Sequence, residues 1–564
     1  MGVSPSVYGG DSGDIILASW FGGVAHPPGY PLNTMIGWIF THLPYPATVA
    51  FKANLMASFF MAAAAAVVFL ILKKLTQNVI ISLASSFFLA FTTLFWLYAH
   101  VIEVFQLNLL LVAISVYFLI SWRKSTLEKK AKPALLYFSF LFLGLAVFHH
   151  HTAALLGPSY LYLIHNTNKN LLKNFRNLVK LGLFFISGFL PYIFIPFAAA
   201  RKTPINWDDP TNLHNFFRLI TRADYGTFLS ASDFLGLSLM ERISQTLFYL
   251  LTIKADFSIL GVLLVLVGFI WLYLKQKVTF WFIVIAIFFA GPFFFFYASF
   301  PISSDFLSGL WERFLLLSYF FLVIPFAFGL KYSLEVLTKI LSNFHVFKKR
   351  TQTAALFFHL LSFFIPYYLF LNNGVKADLG NFYLGERLGQ DILASAEPNS
   401  IVVIYADTAV FNSQYVFYTT ENNKKIKLIK AGSLKHFDYR SQVAREYNDL
   451  VLPENFFEKK QLLAGEVLKN LTELNNDKFP IYMSAFWPEV EGYKWTSVGL
   501  LKKLAPNYID NEGVLKLNAA IFREIMLNKS AFTPQYSHFI MNHIKNEYYV
   551  AIIRVVDELI SYKY

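Results

Sequence analysis

The sequence predicts a polytopic α-helical membrane protein with a small α/β domain at its C-terminal end. Three observations predict it. Of 564 residues, 56% are apolar and only 15% charged, against roughly 25% charged in soluble domains. About ten stretches are long and apolar enough to be read as spans of a bilayer. From Asp378 onward the composition turns ordinary and short β-branched runs appear. Cys is absent, which excludes disulfides, thiolate metal sites and Cys nucleophiles.

The stretches are 54–72, 79–99, 104–121, 134–150, 151–165, 181–199, 258–274, 279–298, 314–330 and 353–371. The fourth and fifth nearly fuse at His149-His150-His151, which predicts a kinked or re-entrant pair. Residues 243–253 are apolar but too short to span comfortably. The net charge of +13 fits either nucleic acid or basic loops on one side of a membrane. Lysines and arginines gather at Lys73-Lys74, 123–132, 169–180, Lys275 and Lys277, and 331–350. That set alternates with the loops 1–53, 99–103, the triple His at 149–151, 200–257 and 299–313 and the region after 372. The alternation makes the basic set cytoplasmic and the other extracytoplasmic, and it removes nucleic acid as a partner. Residues 1–53 would then lie outside with no apolar run before them, so one more helix is expected upstream.

Residues 1–377 therefore read as the transmembrane module, with 1–53 and 200–257 as its outer loops, and 378–564 as an extracytoplasmic domain. In that domain 378–396 reads as a helix, and 401–405, 426–429 and 481–486 as strands. Tyr405-Ala-Asp-Thr408 follows a strand but lacks the glycines of a phosphate loop.

Ionisable residues collect where the outer loops meet the spans, and such residues at membrane depth are costly unless they pair or work. In Gly10-Asp-Ser-Gly-Asp14 the glycines let the chain turn and bring Asp11 and Asp14 near one point; an Asp cap on a helix explains them equally well. Ala25-His-Pro-Pro-Gly-Tyr-Pro31 holds His26 on a stiff frame. Glu103 lies in an apolar run, and a plain turn residue is the simpler alternative. The three adjacent histidines point around a helix, so hydrogen bonding at the interface explains them better than zinc does. Asn206-Trp-Asp-Asp-Pro210 and Leu219-Ile-Thr-Arg-Ala-Asp-Tyr-Gly226 place Arg222 where its planar fork would meet a lipid phosphate or simply anchor the loop. Arg313, in Trp311-Glu-Arg-Phe314, either cradles a phosphate or pairs with Glu312. No Walker loop and no HExxH motif occurs. Carboxylates near cations at this depth suit a substrate with an apolar tail and an anionic head.

Taken in tandem, these motifs resemble a family of polytopic membrane proteins long catalogued as a domain of unknown function. Its animal members are protein O-mannosyltransferases, and its fold is that of the GT-C glycosyltransferases. The resemblance is specific from about Val3 to Tyr225 and more diffuse through Arg313 to Asp378. The family more often has Glu where Asp14 stands. The resemblance implies an inverting transferase that moves a sugar, mannose above others, from a polyprenyl phosphate to Ser or Thr of secreted or surface protein. It implies Asp11, Asp14 and Glu103 as catalytic carboxylates, with Asp11 preferred as the base. His26, Tyr30, Arg222, Tyr225 and Arg313 would bind substrate. No cofactor is implied with certainty beyond the polyprenyl-phosphate sugar as donor, and a divalent ion between Asp11 and Asp14 is the lesser alternative. A lipid-linked or surface glycan as acceptor, or a lipid or solute transporter, are the rival readings. No inverted repeat of broken helices supports the transporter. Absent Cys with abundant Phe, Lys and Asn points to the plasma membrane of a prokaryote.

Overall fold

A computed structural model describes residues 2–227, 237–298, 301–342, 360–420, 425–485, 489–505, 511–527 and 537–561. The start of the expected span at 353–371, the end of the basic run 331–350 and the strand end at Phe486 lie outside the described residues.

Every apolar stretch is helical where described, but few reach full membrane length. Five helices do: Val49–Thr76, Phe105–Leu127, Leu239–Lys275, Lys277–Ala298 and the helix that starts at Leu315. Phe175–Ser187 and Leu190–Ala200 join at a 44° bend and make a sixth. The others are short, such as Val79–Ala90, Pro133–His149 and Gly157–Thr167. The expected break at the histidines is present: His150 is extended and a 3₁₀ turn, His151–Leu156, follows. The loop 200–257 differs from its reading. A helix starts inside it at Leu239, where Ser238 and Glu241 form a reciprocal capping box. Ser258, at φ 63° and ψ 163°, breaks that helix where the span was expected to begin. The apolar run 243–253 is thus one limb of a broken helix.

Small residues let the longest helices touch. A Cβ on Gly268 would lie 1.7 Å from the Pro325 carbonyl oxygen, and one on Gly329 1.8 Å from that of Leu264. Close backbone approach of this kind is the usual way apolar helices pack in lipid. Large apolar side chains such as Phe197, Leu183 and Ile270 face outward, as a lipid-facing perimeter requires. The basic residues meet at one end of the bundle. Lys331 Nζ donates to the Thr76 carbonyl at 2.8 Å, and Arg123 reaches Thr279 Oγ1 at 3.4 Å.

At the other end sits a mixed five-stranded sheet: β1 Ile401–Ile404, β2 Lys427–Lys430, β3 Ile481–Ser484, β4 Trp495–Val498 and β5 Leu501–Leu504, in the order β2-β1-β3-β5-β4. The first three are parallel; β5 runs antiparallel to β3 and β4 to β5. The β4–β5 hairpin went unread because its runs are four residues long and turn on Gly499-Leu500. The sheet docks on the bundle through two helices. Ser12–Phe21 lies against Asp407–Thr419, so close that a Cβ on Gly13 would stand 2.5 Å from the Phe411 carbonyl oxygen.

Gly13→Val should therefore loosen the seam, lowering stability by about 1–3 kcal/mol and exposing the 378–564 region to limited proteolysis. Gly432→Ala, with nothing within 4 Å of its Cβ, should leave the digestion pattern unchanged.

Candidate active site

The site is assembled from four stretches of chain at the end of the bundle opposite the lysines. Asp11 is the N-cap residue of Ser12–Phe21. Glu103 stands just before the helix Phe105–Leu127, and Arg313 just before the helix Leu315–Ser342. The Arg313 guanidinium bridges the two acids, with Nη2 3.0 Å from Asp11 Oδ2 and Nη1 against Glu103 Oε1. It also lies over the Phe105 ring, 5.5 Å from its centre. Arg313 therefore pairs with Asp11 and Glu103. Glu312, its sequence neighbour, instead takes a hydrogen bond from Tyr98 and faces His538.

One cation between two carboxylates divides them electrostatically. Burial pulls Asp11 upward, yet Arg313 and His26 outweigh it and hold the carboxyl below the ordinary range. Glu103 is deeper, and burial pushes it up to about 7 against the pull of Arg313. Among the described residues, Glu103 Oε2 and Arg313 Nε are buried with no hydrogen-bond partner. Buried groups left in this state are uncommon and mark a place for a polar ligand. The residues next to them in the chain, Phe105 and Phe314, line a small pocket together with Asn108, Leu109, Thr152, Phe294 and Leu317.

Asp14 is fully buried and already engaged. Its Oδ2 accepts the His26 backbone N–H at 3.0 Å and faces His26 Nδ1 at 2.8 Å; its Oδ1 accepts the Trp207 indole N–H at 2.7 Å. These contacts make Asp14 a support for His26 and Trp207, with its oxygens taken up by N–H groups. Burial lowers the His26 imidazole, but the charges of Asp11 and Asp14 prevail and raise it above its ordinary value. Asp14's contact fixes Nδ1 and leaves Nε2 facing away from the pair.

Tyr30, in the left-handed region at φ 42°, puts its ring 5.1 Å from His26 and 6.4 Å from His150. His149 Nε2 meets the Val104 carbonyl at 2.9 Å and His150 Nδ1 meets Thr152 Oγ1 at 2.7 Å, so these two rings serve the backbone and loop. Arg222 stacks over Tyr225 at 5.3 Å, and its charge is felt at Asp11 and Tyr30. All eight expected residues thus gather in one region. Among the described residues no group of three His, Asp or Glu is arranged to hold a metal ion.

Two residues escaped the sequence reading. Asp407 opens the helix after β1, and Lys430 ends β2. Lys430 Nζ lies 3.4 Å from the Trp207 ring centre, and Asp407 shares the field of Asp11, His26 and Asp14. Their only sequence signal was their position at strand ends. The neighbouring loop is tied to the sheet domain by Arg218, which pairs with Asp208, Asp224 and Asp438.

Residues 11–173 match the family model of the protein O-mannosyl-transferase TMEM260 N-terminal domain. The chain is 23% identical over 534 residues to the protein O-mannosyl-transferase tmem260 of Dictyostelium discoideum, covering 89% of this chain and 64% of that protein. It is 25% identical over 484 residues to TMEM260 of Mus musculus, covering 84% and 67%. The chain thus spans about two thirds of the length of these relatives. Its fold is similar to that of ArnT from Cupriavidus metallidurans, solved bound to undecaprenyl phosphate. That likeness has TM-score 0.50 at 10% identity and covers 88% of this chain and 94% of ArnT. In sequence and fold the chain resembles the GT-C, protein O-mannosyltransferase-like membrane proteins.

Arg313→Gln should strand two buried carboxylates and lower stability by about 3–5 kcal/mol, read as thermal unfolding in detergent. Adding Glu103→Gln should recover part of that loss. A single variant as stable as the unaltered protein would show that the bridge does not hold the site.

Proposed function

We propose that the protein is an inverting glycosyltransferase that moves mannose from a polyprenyl phosphate to Ser or Thr hydroxyls of secreted or surface protein. The observation that carries this reading is Arg313, held between Asp11 and Glu103 beside that pocket, with a buried N–H still unpartnered. A cation next to a pocket lined mainly by apolar side chains suits a phosphate with an isoprenoid tail. The named activity of the TMEM260 relatives and the undecaprenyl phosphate bound by ArnT support the same reading.

In this mechanism the isoprenoid lies against Phe105, Phe314 and Leu317, and Arg313, with Arg222, takes the phosphate. Asp11 accepts the proton as the acceptor hydroxyl attacks the anomeric carbon. The new C–O bond forms as the bond to the phosphate oxygen breaks, and the electron pair leaves on the phosphate. That leaving group needs no general acid; it needs positive charge as its own negative charge builds. Glu103 holds Arg313 in place, Asp14 fixes His26, and Tyr30 and Tyr225 wall the sugar. No divalent ion takes part, since Asp14 is engaged by N–H groups and Asp11 by Arg313.

We place the site and the 378–564 domain on the extracytoplasmic side, with the lysine-rich end inside. We count the short and bent apolar helices with the long ones as about ten spans. Absent Cys and the composition support the plasma membrane of a prokaryote, although the named relatives are eukaryotic.

The test is transfer of labelled mannose from a polyprenyl phosphate to secreted protein by the purified protein. Asp11→Asn should lower kcat by about 10²–10⁴-fold, the range for loss of a general base, with donor-lipid binding intact. Leu317→Trp, which fills the cavity, should weaken donor-lipid binding. Lipid binding without transfer would point to another sugar or a glycan acceptor; no lipid binding would end the reading.

A further inference from the structure

The mechanism leaves Asp407 and Lys430 unused. β1 and β2 are adjacent parallel strands, and the residues at and just beyond their carboxyl ends meet the transmembrane half: Thr408 meets Gly10 and Lys430 rests on Trp207. In such sheets ligand-binding residues collect beyond the carboxyl ends of the strands. β1 runs out through Tyr405 into Ala406, which adopts φ 73° and ψ 134°. A non-glycine residue in this region is strained, and strain of this kind is kept where a side chain must be aimed. The turn ends abruptly in the helix Asp407–Thr419 and puts Asp407 at the top of the elbow.

Among the described residues no hydrogen bond or ion pair engages the Asp407 carboxylate, although its neighbours are fixed. Thr408 Oγ1 accepts the Gly10 N–H at 3.1 Å, one residue from Asp11. The Phe411 backbone packs on Gly13. Asp407 is therefore held beside the Asp11 loop by contacts on either side of it, while its own oxygens stay open. Asp407 is itself exposed, and its surroundings are charged, with Asp11, Asp14, Lys430 and His26 all within its field. Lys430, resting on Trp207, is itself brought down to about 8 by burial. Asp11 is committed to Arg313 on the side where the phosphate is placed. Asp407 approaches from the sheet domain.

We propose that Asp407 is the acceptor-binding carboxylate: it receives a backbone N–H of the polypeptide segment that carries the reacting hydroxyl and fixes that hydroxyl against Asp11. Lys430 and Trp207 form the wall behind that segment. The inference rests on the transferase reading above and adds that the sheet domain supplies the acceptor side of the site.

The experiment is steady-state transfer to a Ser/Thr peptide at saturating polyprenyl-phosphate mannose, with donor-lipid affinity measured in parallel. Asp407→Asn, which keeps the shape, should raise the peptide KM by about tenfold while kcat stays within about threefold. Donor affinity should not change, and Asp407→Glu should recover part of the peptide affinity. An unchanged KM would overturn the assignment. So would a collapse of kcat at constant KM, which would move Asp407 into proton transfer, or a loss of donor affinity, which would move it to the phosphate side. No transfer by the unaltered protein with any peptide would instead overturn the reading of mannose transfer to polypeptide, and this inference with it.

Discussion

Arg313 is the constraint on which the site depends. A buried guanidinium needs compensating charge, and here it draws Asp11 from the first loop and Glu103 from the next corner onto one point. Those three residues come from positions 11, 103 and 313, so the bridge also fixes how the N-terminal helix pair sits on the long spans. The arrangement is not self-sufficient. One N–H of the cation and one oxygen of Glu103 remain buried and unanswered, and the pocket beside them is lined mainly by apolar side chains. Such a site is completed by something that brings an anionic head and an apolar tail together.

The second layer supports the first through Asp14. Its two oxygens hold the His26 main chain, the His26 ring and the Trp207 indole. The Ala25–Pro31 turn and the 200–227 loop are thereby joined through one buried carboxylate. A Glu at this position would reach further by one methylene. Shortening the arm suits a site in which the three donors already crowd the side chain. The acid next to Asp11 in sequence thus does a different job from it, because environment rather than residue type sets the role of a carboxylate.

Much of this was legible in the sequence. Composition and hydropathy gave a membrane bundle, the charge alternation gave its two ends, and the motif residues from Asp11 to Arg313 do meet in space. The helix lengths were not legible: apolar composition marks a stretch as buried in lipid or protein alike, so Pro133–His149 and Val79–Ala90 read like full spans. The pairing of Arg313 was not legible either, since adjacency favoured Glu312 and only the fold brings Glu103 within reach. Asp407 and Lys430 were hidden for a further reason. Each follows a four-residue strand in an ordinary α/β pattern, and what sets them apart is a docking surface some 400 positions away in the chain, marked by the Gly10–Thr408 hydrogen bond.

That distance has a physical logic. A lipid-borne substrate is confined to two dimensions and is best met by helices that open sideways into the bilayer. A polypeptide acceptor arrives from water and needs backbone-directed polar contacts that lipid-facing helices cannot offer, because polar groups are costly in that solvent. A fold that must hold both at once gains by building one wall of the site in each medium. The junction must then be rigid at the scale of a reacting bond. Here Gly13 allows backbone-to-backbone contact across it, and Arg218, with three aspartates around it, ties the adjoining loop to the sheet. On the proposed transferase reading, the tight seam and the charged tie lie where two half-sites built in different solvents must keep register.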